Sequence, residues 1–583
     1  MNTPLSRRAF TRLAAAPIAL ALTGAEAAAA SPAPTEPVPV APAMRRAAVH
    51  FDQVVSHRGG YVWSYLPDLS ACWGELEARR SMCWIQPPGT PSVGHSLLDA
   101  YHATGAEECY RAAERTGLAL VAAQLPVGGW NYVHDFAGTA ALRHWYETVG
   151  ANGWRLEEFQ HHYGNATFDD AGTAVSAQLL LRLYLERRDP RFRAPLERAI
   201  QFVLRAQFRG GVADGGWPQR FPAVPWAARE VPWPRDRPSW VPAAVRHGME
   251  DGEYTQHVTF NDDVLGENIK FLLMCTLTLR RGDLVEPVLR AMRCLHRLRQ
   301  PGPQAGWGLQ HLSRPARGRP AGAPAGARSY EPRALATHTT QTNIRQLFHY
   351  FRLTGDRSFL DRVPAAIDWL RGCRLTEAQL AENPLLAGRT HPTFVELGTD
   401  RALFVHRFGS NVRNGAYYTD HDHRRTLGHY SAGRAIDLDG LQRTYDQLRA
   451  LTPAEVADLR ERSPLGRGRT DRLPRYFSLR DLEPTDLFRD APEQLPTVTE
   501  EQAAALVAGL GARDHWLSPA ESVTHPYRGR PPATPHHGQE HMSTHVGDEH
   551  DTSPHPVPNP PQVISTSTFV ANMGKLIAWV SRR

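Results

Sequence analysis

Residues 265–300 read LGENIKFLLMCTLTLRRGDLVEPVLRAMRCLHRLRQ, and this stretch decides the fold. Leu265, Ile269, Leu272 and Leu273 recur three and four apart, the spacing that lays apolar side chains along one stripe of a helix. A turn at Gly282-Asp283 interrupts the pattern, a second helical run follows, and the unit closes on Gly306-Trp307-Gly308-Leu309-Gln310. The same punctuation recurs along the chain. SLLDAYHATGAEECYRAAERTGLALVAAQLPVGGW ends at Trp130, and VSAQLLLRLYLERRDPRFRAPLERAIQFVLRAQF closes on the GGW at Trp217. A further copy, TNIRQLFHYFRLTGDRSFLDRVPAAIDWLRGC, ends near Cys373. Repeated helical hairpins stack, and Gly-Trp loops that all follow the second helix gather at one end if the stack closes. The expected fold is all-α: an (α/α) toroid over residues 47–434 with the loops as its functional face. An irregular C-terminal extension, 435–583, carries helices and a Pro/His-rich loop.

With 583 residues the chain can bury more than one core's worth of apolar side chains. Its start is a targeting segment by composition: Ser6-Arg7-Arg8-Ala9-Phe10, a weakly apolar stretch from Leu13 to Leu22, then small residues from Ala25 to Ala30. Residues 1–30 read as a twin-arginine export signal and 31–46 as a flexible Pro/Ala linker. The apolar part is too short for a permanent anchor. The expected location is periplasmic or secreted, without a membrane anchor, and the expected state is a monomer. Removing Arg7, Arg8, Arg12 and Glu26 takes a net +2 from the formal charge of +6, and the near-balanced remainder does not point to nucleic acid. Lysine occurs only at Lys270 and Lys575, so single arginines carry little information. The six cysteines have no metal-ligand spacing and read as buried small apolar residues.

Two segments hold the chemistry. Residues 166–178 read ATFDDAGTAVSAQ and residues 257–269 read HVTFNDDVLGENI, so adjacent acids stand twice where an apolar helix is about to begin. Helix capping explains one acid at such a place, but not a repeated pair. A closed ring brings Asp169-Asp170 and Asn261-Asp262-Asp263 to one end. Their mutual repulsion is relieved by a cation or a shared proton. Oxygen ligands of this kind suit Ca²⁺, which takes about six to eight oxygens including water.

In chain order the sequence carries TFDD, GGWPQRFP, HVTFNDDVLGENI, GWGLQH, ARSYEPRAL, ELGTDRALFVHR and HRRTLGHY. Over roughly residues 60–430 this series resembles the pectate lyases of polysaccharide lyase family ten. The resemblance implies an (α/α) toroid, a polygalacturonate-like acidic polysaccharide as partner, Ca²⁺, and cleavage by anti β-elimination. It places Asp169, Asp170, Asp262 and Asp263 at the metal, with Asn261 on the substrate side, and matches Arg328 to the arginine taken as catalytic base. It assigns Arg401, Arg407 and Arg425 to the substrate carboxylates. Tyr330 stands in the Arg328 motif as a further substrate contact, and Trp130 and Trp217 offer flat faces to sugar rings.

Removing the C5 proton of a uronate builds negative charge on its carboxylate, which a divalent ion and arginine forks stabilise. The base is the demanding step. An arginine with a pKa of about 13 costs about 8 kcal/mol to make neutral near pH 7, and cations around Arg328 would lower that cost. An alkaline optimum follows. The sequence departs from the family pattern at Asn131-Tyr132-Val133 and at ATHTTQ, residues 336–341. Two other readings fit the same residues: a carbohydrate-binding toroid without activity, and an inverting glycosidase that uses Asp169 and Asp263.

Overall fold

A computed structural model describes residues 39–146, 164–222, 251, 254–328, 330–408, 416–424, 426, 428–466, 472–519 and 562–583. The export signal at 1–30, the first half of the 31–46 linker and the Pro/His-rich stretch lie outside these residues. The first helix, α1 (Val40–His50), begins inside the segment read as linker. Its Val40, Ala43, Met44, Ala47 and Ala48 are buried, so the small apolar residues taken for a flexible lead form a packing stripe.

Four hairpins follow. They are α2 (Thr90–Thr104) with α3 (Glu107–Ala123), α4 (Gly172–Arg187) with α5 (Pro190–Ala206), α6 (Val264–Thr278) with α7 (Val285–Arg297), and α8 (Thr337–Thr354) with α9 (Val363–Gly372). Within each pair the first helix is internal: α2 packs on α4 and α4 on α6. That changes the sequence pattern the helix carries. On α6, 14 of the 15 residues are buried, not the single stripe read from Leu265, Ile269, Leu272 and Leu273, because neighbours flank it on both sides. The outer α5 and α7 keep the amphipathic pattern.

The C-terminal region completes the ring. Helices α10 (Leu438–Arg449) and α11 (Pro453–Arg462) pack on α8. Helix α12 (Glu500–Leu510) packs on α1, and α13 (Thr566–Ser581) lies against α1, α2 and α12. Ile564 and Ser565 pair antiparallel with Tyr65 and Ser64. A strap at 475–487 joins the inner helices in order. Phe477 and Ser478 donate backbone N–H groups to Asp99 of α2 (2.8 and 2.7 Å), Arg182 of α4 donates to the Arg475 carbonyl (3.1 Å), Lys270 of α6 to the Leu482 carbonyl (2.9 Å), and His349 of α8 meets Thr485 (3.1 Å). The fold is an (α/α) toroid. No helix among the described residues is long and apolar enough to cross a membrane, and all six cysteines are buried and free.

The Gly-Trp loops are structural pins. Trp130, Trp217 and Trp307 are each 0% exposed. Each indole N–H donates to a carbonyl in the last turn of its outer helix: Leu120 (2.8 Å), Val203 (2.8 Å) and Leu295 (3.0 Å). This corrects the assignment of Trp130 and Trp217 to substrate: a fully buried ring presents no face to a sugar. The glycines serve the same packing. Gly128 and Gly215 adopt φ of +101° and +96°, and a Cβ on either would stand 2.3 Å from a carbonyl oxygen of the next outer helix. Trp217→Ala is expected to cost about 3–5 kcal/mol of stability, the usual penalty for deleting a buried indole. Urea unfolding measures it, and a loss below about 1 kcal/mol would contradict the pin.

Candidate active site

The acids sit where short strands turn into inner helices. Asn165–Thr167 pairs with Arg220–Pro222, and His257–Thr259 pairs with Gln310–Leu312. Each Thr-Phe then enters a turn with two successive left-handed residues, Asp170 and Ala171 (φ +49° and +57°) in one copy and Asp262 and Asp263 (φ +50° and +55°) in the other. Such backbone costs of order 1–3 kcal/mol per residue and persists where its surroundings impose it. The two turns pack on each other.

Asp169 is the hub. It is 1% exposed, and its Oδ2 accepts from Arg220 Nη2 (3.0 Å) and Arg328 Nη1 (3.3 Å). Burial pushes its carboxyl up, but the two guanidinium groups, Arg328 first, outweigh burial and hold it well below the carboxylate range. Half-buried Asp170 accepts from Tyr132 Oη (2.6 Å) and Gln86 Nε2 (2.7 Å) through one oxygen. Burial and then the charge of Asp169 raise its pKa. Asp262 accepts from Asn261 Nδ2 (2.6 Å), and burial followed by Asp170 and Asp169 raises it strongly. Asp263 is placed differently, its Oδ2 accepting from Gln346 of α8 (2.8 Å).

Arg328 reaches this hub from a distant loop. It is 4% exposed and gripped by Glu331, with Nε and Nη2 on the two carboxylate oxygens (2.9 and 2.6 Å) and the backbone N–H on the same group (3.1 Å). Its Nη2 also donates to Tyr430 Oη (3.1 Å), which donates to Glu331 (2.8 Å) and accepts from Asn261 (3.2 Å). Where cations are expected around Arg328, its partners among the described residues include two carboxylates, Glu331 and Asp169; the arginine that shares the site, Arg220, meets it through Asp169. Tyr330 is 1% exposed, with its ring under the Arg328 guanidinium (5.0 Å) and against Tyr417 and His429. It supports the arginine and offers no face to a ligand, which corrects its reading as a substrate contact. Asn261, 2% exposed, ties Asp262 to Tyr430.

Of the remaining substrate arginines, only Arg401 has its side chain among the described residues. Arg401 is exposed in the turn before the strand Ala402–Phe408. Arg407 lies on that strand opposite Tyr417, with its side chain outside the described residues, and Arg425 is itself outside them. Four supporting residues escaped the sequence reading: Arg220, Glu331, Tyr430 and Tyr132. The first three stand inside GGWPQRFP, ARSYEPRAL and HRRTLGHY, and Arg328-x-x-Glu331 was the readable signal. Tyr132, one of the departures from the family pattern, holds Asp170 and lies 4.2 Å under Arg220.

Asp169 Oδ1 is buried with no hydrogen-bond partner, beside two carboxylates that resist ionising together. That donor set, all oxygen and anionic, fits a hard cation. Among the described residues no three His, Cys, Asp or Glu side chains form a preformed metal group, so such an ion would complete its shell with water and substrate oxygens. Asp169 itself, buried under two guanidiniums, holds no proton to donate, which removes it as the acid of a glycosidase.

A family model described as pectic acid lyase matches residues 143–430, starting later than the resemblance read from residue 60. No curated protein matches the sequence. Among solved structures, the chain is similar to a family 10 polysaccharide lyase from Cellvibrio cellulosa at 15% identity, covering 61% of this chain and 98% of that one with a TM-score of 0.38. It is also similar to a GH76 α-mannanase of Bacteroides thetaiotaomicron at 10% identity, covering 60% and 74% with a TM-score of 0.33. An α-1,6-mannanase from Salegentibacter sp. follows at 12% identity, 57% and 69% coverage and a TM-score of 0.30. With the motif series, the toroid and the family match over 143–430 in agreement, the chain is a pectate lyase-like polysaccharide lyase.

Proposed function

We propose that the protein is an exported enzyme that cleaves polygalacturonate or a related polyuronate by calcium-assisted anti β-elimination. The observation that carries this reading is the meeting of Asp169 and Arg328, 159 residues apart in sequence, in one ion pair. Around them stand acids from two hairpins. The substrate class comes with the family match; the Cellvibrio cellulosa enzyme has been solved as a mutant with a bound trigalacturonate. Asp169, Asp170 and Asp262 would hold Ca²⁺, which would neutralise the uronate carboxylate and stabilise the charge that builds there as C5–H is broken. Arg220 fixes the Asp169 carboxylate through Oδ2. Arg328 takes the C5 proton, steered by Glu331 and Tyr430, and Arg401, Arg407 and Arg425 belong to the proposed grip on neighbouring carboxylates. The twin-arginine segment read at 1–30 supports a location in the periplasm or outside the cell.

One assay tests the reading. Polygalacturonate with Ca²⁺ is expected to yield the unsaturated product, seen by its ultraviolet absorbance, with an alkaline optimum and complete loss in EDTA. Reducing ends without that absorbance would mean a hydrolase, and neither would mean a binding protein. An optimum below about pH 6 would count against an arginine base.

A further inference from the structure

The segment ATHTTQ, which breaks the family pattern, has a structural explanation. Thr167, Thr259 and Ala336 each donate their backbone N–H to the carbonyl of the preceding loop's tryptophan (2.7, 2.9 and 2.8 Å). Two residues further on, His338 therefore occupies the position of Asp169 and Asn261. The tryptophan N–H makes a return bond to Thr173 Oγ1 in one copy (3.3 Å) and to Thr340 Oγ1 in the other (3.1 Å). From 167 to 173 is six residues and from 336 to 340 is four, so the fourth hairpin is two residues shorter. What it lacks is the left-handed pair that carries Asp170 and Asp262, and α8 begins at once with Thr337.

The ring thus presents an acid, an amide and an imidazole at three equivalent positions, Asp169, Asn261 and His338. His338 is half-buried, its Nδ1 buried and without a hydrogen-bond partner. Its ring lies 6.5 Å from that of Tyr430, whose hydroxyl touches Asn261, Arg328 and Glu331. The guanidinium of Arg434 stands 5.9 Å from the same Tyr430 ring. Burial pushes that guanidinium down to about 10, with Arg389 adding and Tyr430 and Asp262 opposing. Burial, and then Arg434, push the His338 imidazole well below its ordinary value, so it is neutral.

We propose that His338, with Arg434 behind it, forms a metal-independent subsite for the uronate unit next to the one held at the acids, and favours an ionised carboxylate there over its methyl ester. The proposal rests on the polyuronate reading and deepens it. A third acid pair would repel a second carboxylate unless another cation bridged them. A neutral imidazole backed by a guanidinium donates its N–H to that carboxylate directly. His338 then sets which sugar is tolerated beside the reacting one, and not the rate of the chemical step.

Calorimetry of trigalacturonate with the full-length protein in EDTA tests this. The wild type is expected to bind, and His338→Ala to bind about tenfold more weakly, the loss of one hydrogen bond to a charged group. The methyl-esterified trimer is expected to bind the wild type more weakly than the acid does. No wild-type binding in EDTA, equal binding by His338→Ala, or equal binding of acid and ester would each overturn the proposal. Under turnover, His338→Ala is expected to raise KM with kcat unchanged and to leave the half-activating calcium concentration where it was. His338→Asp, which restores the charge found in the equivalent position of the second hairpin, is expected to raise that concentration severalfold; an unchanged calcium requirement in His338→Asp also counts against the subsite. Failure of the lyase reading is a separate result: the wild type with Ca²⁺ makes no unsaturated product, whatever the binding in EDTA.

Discussion

Replacing Arg328 by lysine is expected to lower β-elimination of polygalacturonate by about 10²–10⁴-fold, the range lost with a positioned proton-transfer group, while the fold survives. Arg328 uses three guanidinium nitrogens at once: Nε and Nη2 on Glu331, Nη1 on Asp169, and Nη2 also on Tyr430. A lysine ammonium is a point charge on a flexible stem and cannot reproduce that fork. It can reach one carboxylate or the other, so the proton acceptor and the floor of the acid cluster lose their fixed relation. The resting geometry also shows what the chemistry must overcome. Two carboxylates favour the charged guanidinium, adding to the cost of about 8 kcal/mol that an ordinary arginine carries near pH 7. Part of that opposition is relieved if Asp169 is engaged by a cation through its unpartnered oxygen. Glu331→Gln separates the two roles of the clamp: it keeps a partner for the fork and removes a charge. Circular dichroism melts report the fold and the ultraviolet assay the rate. Arg328→Lys retaining more than about a tenth of wild-type turnover would remove it as the base.

The parts of this molecule legible in the sequence are those fixed by short-range periodicity. The Gly-Trp punctuation and the paired acids recur at hairpin spacing, so the toroid and the gathering of Asp169, Asp170 and Asp262 could be read before any coordinates. The tryptophans were visible for the same reason, yet their role was not. An indole pinning an outer helix and an indole under a sugar have the same local sequence, and only burial separates them. The Arg328 clamp was half legible: Arg328 stood out through its motif, whereas Glu331 three residues on looked like any charged pair. Tyr430, 99 residues beyond Glu331, joins it only through the fold. The strap at 475–487 shows the limit most clearly. Its bonds to Asp99, Arg182, Lys270 and His349 span four helices, and no local pattern around Phe477 announces them.

Asp169→Asn is expected to cost about 3–5 kcal/mol of stability, the penalty for breaking a buried ion pair by removing one of its charges, and to abolish turnover as well. Arg220 is 0% exposed and has Thr167 and the Asp169 carboxylate among its polar anchors, with the Tyr132 ring beneath. An asparagine amide leaves that guanidinium buried beside a neutral group and loosens Arg328 in the same step. The pH dependence gives the test its sign. Asp169 is held below its unfolded value, so its contribution is fully present above about pH 4 and fades as the pH falls toward the folded pKa. Asp170 and Asp262 are raised, so each opposes folding above its unfolded pKa, and that opposition is relieved as acidification protonates them. In the metal-free wild type the two effects therefore work against each other below neutrality. The asparagine variant keeps only the second in weakened form, because Asp169 no longer repels its neighbours. Its urea midpoint is expected to lie well below that of the wild type at pH 7, and the gap is expected to narrow below about pH 4, where the raised Asp170 and Asp262 are already protonated in the folded state and only the Asp169 contribution is still being lost. A gap that stayed constant or widened between about pH 4 and pH 3 would mean that Asp169 is not the charge that anchors Arg220 and Arg328, and the hub of the proposed site would have to be sought elsewhere.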